Sequence, residues 1–213
     1  MTMKRTLVLI RHAQAEPFSL NGDHGRVLTS YGHQQSRMLG FSLAHALQEM
    51  KQDEAKKEGE KPQVDWVALS DAQRTRETFR GLAPQFDIAH SFSDRSLYSG
   101  DIEEILHIAR SFTGQTAFII GHNPTISDVA LYLTFPDALV EEHNESVASF
   151  QKYASEEIRT HSLNMRRIKA LSRYGADLAQ AMILRFGGEW KDLRKGICEL
   201  EIVTYCDLSS SHG

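Results

Sequence analysis

Three things are scarce in this 213-residue chain: cysteine, long apolar runs and excess positive charge. Its two cysteines, Cys198 and Cys206, lie close together near the end. They form neither a disulfide framework nor a metal-ligand spacing, so reduced thiols of a cytoplasmic protein are expected. Near the start, the apolar run is four aliphatics long, Leu7 to Ile10, behind Lys4 and Arg5. That is too short for a signal peptide or a spanning helix, and no membrane partner is expected. With a formal charge of −4 and a pI near 6.2, the chain lacks the basic footprint of general nucleic-acid binding, although a local basic cleft stays open.

What is present is enough apolar material for a large core, 41% of residues, in a length that suits one domain. The run Leu7-Val8-Leu9-Ile10 ends abruptly in Arg11-His12. Four aliphatics in a row read as a strand buried on both faces, and residues just past such a strand sit where open α/β sheets bind ligands. An arginine there suits a tetrahedral oxyanion. A histidine beside it can be nucleophile, base or acid near neutral pH.

The pattern recurs. Ala117-Phe118-Ile119-Ile120 ends in Gly121-His122-Asn123-Pro124. Asn123 suits an N-cap and Pro124 a first helical position, which places His122 at a helix start where backbone N–H groups favour an anion. Between the two, the short strand Trp66-Val67-Ala68-Leu69 leads into Ser70 to Thr78. With Ser70 or Asp71 as cap, Arg74 falls in the first turn and can reach back to the strand end.

Together these pieces resemble the histidine phosphatase superfamily, also called phosphoglycerate mutase-like. The resemblance rests on Arg11-His12-Ala13 for the family's Arg-His-Gly signature, on Ser70, Arg74 and Thr78, and on Gly121-His122-Asn123. A fourth piece, Asp23 to Gly32 with Arg26-Val27-Leu28-Thr29-Ser30-Tyr31-Gly32, is similar to the stretch before the family's first long helix. The match runs from about Leu7 to Leu131 and is strongest to the short SixA-type branch, known for acting on phosphohistidine. Ala13 in place of glycine, Leu97-Tyr98 before Asp-Ile-Glu-Glu-Ile-Leu, and Trp190 suit that branch. The glutamate motif that serves as acid in mutases and broad-range phosphatases is absent; the region reads Ser93-Asp94-Arg95-Ser96-Leu97-Tyr98. Asp94 is the acid by loose alignment, with Asp101 and Glu103 nearby, although Asp101 is more simply a helix cap.

The resemblance implies an α/β fold: a three-layer α/β/α sandwich around a mostly parallel central sheet. It also implies a phosphatase acting through a phosphohistidine on His12. Arg11, Arg74 and, if protonated, His122 would bind the phosphoryl oxygens, with no cofactor and no metal. The substrate would be a phosphorylated small molecule or a phosphohistidine-bearing protein. A weak or absent acid suits the second, because imidazole leaves more readily than alkoxide. A noncatalytic phosphoprotein- or metabolite-binding module is the alternative, and intact His12 weighs against it. The missing glutamate weighs against a mutase.

Along the rest of the chain, strands are expected at 5–11, 65–69, 86–89, 116–121, 181–186 and 200–205. Helices are expected from Ser30 to about Met50, to about Leu82, from Asp101 and over 124–133. The first helix should bury Met38, Leu39, Phe41, Leu43, Ala46 and Leu47. Lys51 to Gln63 is a charged run that reads as a solvated connector. Residues 135–180 break the alternation and read as a helical insertion; Arg166, Arg167, Lys169 and Arg173 there face either an anionic partner or solvent. His24 and His33 are placed at the pocket mouth, and Trp190 is read as packing.

Overall fold

Alternation along β1 (Lys4–Arg11) sets the architecture. Leu7 and Leu9 point into one apolar cluster and Val8 and Ile10 into another. A strand that is apolar on both faces needs cover on both, and the sheet is sandwiched accordingly. The computed structural model describes residues 4–50, 59–134 and 166–204. Most of the charged run after Lys51, most of the expected insertion, and Cys206 lie outside those residues.

The sheet has six strands in the order β3-β2-β4-β1-β5-β6, the others being β2 (Gln63–Ser70), β3 (Asp87–Asp94), β4 (Thr116–Gly121), β5 (Gln180–Gly187) and β6 (Glu199–Thr204). Four strands run parallel; β5 and β6 are antiparallel additions at one edge. Helices α1 (Ser30–Met50) and α2 (Gln73–Leu82) cover one face through Leu39, Leu43, Leu47 and Leu82. On the other face, α4 (Ile102–Arg110), α5 (Thr125–Thr134) and helical residues 166–174 pack through Ile105, Leu106, Ile126, Val129, Ile168 and Leu171. A short α3 (Ser96–Ser99) links β3 to α4. The three-layer, mostly parallel expectation holds.

Some boundaries differ for physical reasons. β3 extends to Asp94 because it continues in register along β2 as far as Ser70. Phe41 is 62% exposed, since the buried stripe of α1 instead uses Gly32, Gln35, Ser36 and Gly40. Gly40 and Ser36 let α2 approach closely: a Cβ on Gly40 would fall 2.9 Å from Leu82 Cα, and one on Gly81 would meet the Ser36 side chain. Neither Ser70 nor Asp71 caps α2, whose N-cap position is Ala72. Asp101 does cap α4, its carboxylate accepting the Glu104 N–H at 3.1 Å. Trp190 is buried, with its indole N–H donating to Gly114 O at 2.9 Å.

Candidate active site

Strand register brings the expected residues together. Arg11 lies opposite Gly121 and Leu69 opposite Ile120. The residues that follow, His12, His122 and Ser70, therefore emerge side by side at the carboxyl ends of three adjacent parallel strands, the crevice position of open α/β sheets. The two imidazole centroids are 5.2 Å apart.

His12 is 9% exposed and its protonation pattern is dictated by its partners. Nδ1 lies 2.7 Å from Ala13 O, and a carbonyl oxygen only accepts. Nδ1 therefore carries the proton and Nε2 the lone pair. That lone pair accepts the Arg74 Nε–H at 3.3 Å. Burial, reinforced by the charges of Arg74, Arg11 and Arg26, lowers the His12 pKa to about 4 despite the opposing Ala13 bond. The backbone is tied on both sides: His12 N–H donates to Gly121 O, and His12 O accepts from Ala179 N–H at 3.1 Å. Ala179 is the one non-glycine described residue with positive φ, at 52°. Ala13 needs no such backbone, which accounts for an alanine at that point of the motif.

Arg74 leaves the first turn of α2 and is 5% exposed. Beyond His12, its Nη1 donates to Asp23 O at 2.7 Å and its Nη2 to Asp23 Oδ2 at 3.0 Å. Thr78, one turn along α2, accepts the Ala13 N–H at 3.0 Å and donates to Arg74 O. The spacing Ser70, Arg74, Thr78 thus has a mechanical meaning. Ser70 meets His122, Arg74 meets His12, and Thr78 fixes the residue after His12.

Arg11 turns sideways, its Nη1 donating to Ala176 O at 2.6 Å. Its Nε is buried with no partner among the described residues. Burial lowers its pKa, opposed by Asp177. His122 Nε2 is 2.9 Å from Ser70 Oγ, and its Nδ1 is likewise buried and unpartnered. Burial first, then Arg74 and His12, bring the His122 pKa down to about 3. The condition set on His122, that it be protonated, is not met by these surroundings alone: the ring is held neutral because it is desolvated beside an arginine.

Asn123 does not cap α5, which begins at Thr125. Its Nδ2 instead donates to Ala176 O at 2.9 Å while its Oδ1 accepts the Ser127 hydroxyl at 2.7 Å. Ser127 Oγ in turn accepts Ala176 N–H at 2.8 Å, so the segment after residue 174 is clamped to the mouth of the site. Of the expected basic cluster, Arg167 donates to Leu200 O, whereas Arg166, Lys169 and Arg173 are exposed.

Asp94 is corrected as well. It ends β3, and its Oδ1 accepts the Ser96 N–H at 2.8 Å, as a turn residue does. The carboxylate that joins the cluster is Asp23, on a 3-10 turn (Asp23–Gly25). Besides Arg74, it accepts from the Tyr98 hydroxyl at 2.7 Å and Arg26 Nη1 at 2.8 Å. Those bonds, Tyr98's the largest, hold it well below the usual carboxylate range, and Asp23 in turn raises the Tyr98 pKa. The signal that could have found Asp23 is the long loop after His12, since a structureless loop of that length is usually functional. His24 sits at the rim, 3.1 Å from Asp71 Oδ1 with its ring against Tyr98, and His33 lies 3.8 Å from Glu77. Cys198 is buried away from this chemistry, its thiol pushed up to about 12 by burial.

No known family profile and no curated protein matches the chain. Solved structures do. A protein from Nakamurella multipartitia assigned as the phosphohistidine phosphatase SixA is 26% identical, over 94% of this chain and 95% of that one, with a TM-score of 0.63. The protein histidine phosphatase SixA complexed with tungstate has a TM-score of 0.58 at 12% identity, covering 94% and 97%. Phosphoglycerate mutase from Plasmodium falciparum has a TM-score of 0.50 at 14% identity, covering 97% and 96%. The fold is phosphoglycerate mutase-like, and the likeness agrees with the resemblance carried by the motifs, to the histidine phosphatase superfamily and its SixA branch.

Proposed function

We propose that this chain, with its histidine phosphatase fold, hydrolyses a phosphorylated substrate through a covalent phosphohistidine on His12, and that protein phosphohistidine is the preferred substrate. The observation that carries the reading is the fixed tautomer of His12. Its Nδ1 proton is held by Ala13 O, so an unprotonated Nε2 faces the guanidinium of Arg74. A lowered pKa keeps that nitrogen free at neutral pH.

Nε2 attacks phosphorus in line, the bond to the leaving group breaks, and charge spreads over three equatorial oxygens. Arg74 and Arg11 offer planar, permanently charged donors to those oxygens. His122 Nδ1, left without a protein partner, supplies a further donor. A dianion beside His122 raises its proton affinity, so the ring takes up a proton as the ligand arrives. Water then attacks the phosphoryl group on Nε2 and releases phosphate. Neither carboxylate of this region described above is set up as an acid for an alkoxide: Asp94 is bonded in its turn and Asp23 is held ionised. An imidazole leaving group tolerates that lack better than an alcohol.

The test compares turnover of a phosphohistidine protein with a panel of small phosphate esters, in the wild type and His12→Ala. Preference for the phosphohistidine protein and loss of turnover in a folded His12→Ala chain are expected. A fully active variant would contradict the role of His12. Phosphate binding without turnover of any substrate would favour a noncatalytic binding module.

A further inference from the structure

An anionic group of the protein itself reaches the candidate phosphate site. Asp23 rides on a segment whose base is closed by Glu16 N–H to Val27 O at 2.9 Å, Arg26 Nε to Glu16 O at 2.5 Å, and a bridge between Ala15 and Leu28. At the far end of the segment, Phe18 and Leu20 are left largely exposed. From this segment Asp23 takes both terminal nitrogens of Arg74, one with its backbone oxygen and one with its carboxylate. The Nε–H is on the His12 lone pair. Each nitrogen of Arg74 thus makes one bond to a protein group, and one N–H on each terminal nitrogen is left over. A phosphoryl group recognised bidentately needs that same planar fork.

We propose that Asp23 is a specificity-determining residue: its carboxylate and backbone oxygen hold the terminal edge of Arg74, which a bidentate phosphoryl group would also use, so phosphate competes there with Asp23 and the turn that carries it. The inference rests on the phosphatase reading for the nature of the ligand alone. Displacement works against small free phosphates and against the released product. It favours substrates whose carrier adds contacts beyond the phosphate and so offsets the loss of the Asp23 bonds. Tyr98 and Arg26 act through Asp23, since each holds the carboxylate in place on Arg74. His24, next in sequence, packs its ring against Tyr98 and lies 3.1 Å from Asp71 Oδ1 on the other side of the turn.

The experiment measures the Kd of inorganic phosphate by calorimetry on the full chain, together with hydrogen exchange of the wild type. Removing the charge with Asp23→Asn replaces charge-assisted bonds to Arg74 by weaker neutral ones, and phosphate binding tightens about tenfold. Tyr98→Phe keeps the ring and removes one tether, so binding tightens by a smaller factor. In the wild type, phosphate speeds exchange at the Gly25 and Arg26 amides, which donate to Gly22 O and Asp23 O within the turn. Unchanged or weaker binding in the variants, or slower exchange at those two amides, overturns the proposal. If Asp23→Asn does not fold, Tyr98→Phe and the wild-type exchange decide. Displacement of the turn by phosphate in a chain that hydrolyses no phosphohistidine or ester would sustain this inference and refute the phosphatase reading.

Discussion

Two buried neutral imidazoles should make this protein acid-sensitive in a window set by the unfolded chain. His12 and His122 have pKa values of about 4 and about 3 when folded, against an ordinary 6.5. Above pH 6.5 neither state binds a proton at these rings, and their contribution is fully present. As the pH falls below 6.5 the unfolded chain takes up protons that the folded chain refuses, so stability falls until the folded values are reached. At pH 5 both folded values are still undershot, so the loss depends only on the distance from 6.5 to 5, about 2 kcal/mol for each ring. Urea unfolding in phosphate-free buffer at pH 7.5 and pH 5.0 measures it. The loss between the two should be smaller by about 2 kcal/mol in His12→Gln, and by about 4 in a double variant with His122→Gln. Only the pH-dependent part is compared, so any cost of the substitution itself cancels. Equal losses in wild type and variants would mean that the rings are not held neutral, and the pocket electrostatics described above would be wrong.

Two substitutions probe the scaffold around His12. Thr78→Val keeps the shape and leaves the buried Ala13 N–H without an acceptor, which should cost about 1–3 kcal/mol in urea unfolding and lower turnover; unaltered stability would show that this hydroxyl is not the anchor. Gly32→Ala drives a methyl group into the backbone carbonyl of Gln14, two residues past His12. It should cost about 1–3 kcal/mol by overpacking, read as a fall in Tm, and a neutral result would show that the Gln14 segment yields freely.

The parts of the fold legible in the sequence are those where burial repeats with a clear period. β1 and β4 are apolar at every position that matters, because each is covered on both faces, and their ends could be placed to within a residue. Ser30–Met50 was equally legible at both ends. Its buried face was legible at Leu39, Leu43 and Leu47 but not at the positions where it packs with glycine and serine, and Phe41, which apolar periodicity suggested, is exposed. At the site, Arg11, His12, Arg74 and His122 were found because each follows a strand end, and strand ends announce themselves. Asp23 and Ala176 were missed as partners of that cluster for the opposite reason. They lie on irregular segments, and one of them acts through a backbone oxygen that no side chain identifies. The charge state of His122 stayed open because a sequence reports neighbours along the chain and not the water excluded by folding.

The clamp on Ala176 has a consequence for how the molecule could be divided. All four signature side chains belong to the stretch ending at Gly121–Asn123, yet Arg11 is aimed by an oxygen that comes more than fifty positions later, and β1 leans on β5 as well as β4. A fragment stopping at residue 134 would therefore own the whole chemical inventory and still have one arginine unaimed and its central strand bare along one side. The clustered side chains and one of the groups that aim them are thus written far apart in the polypeptide, and the arrangement needs both stretches.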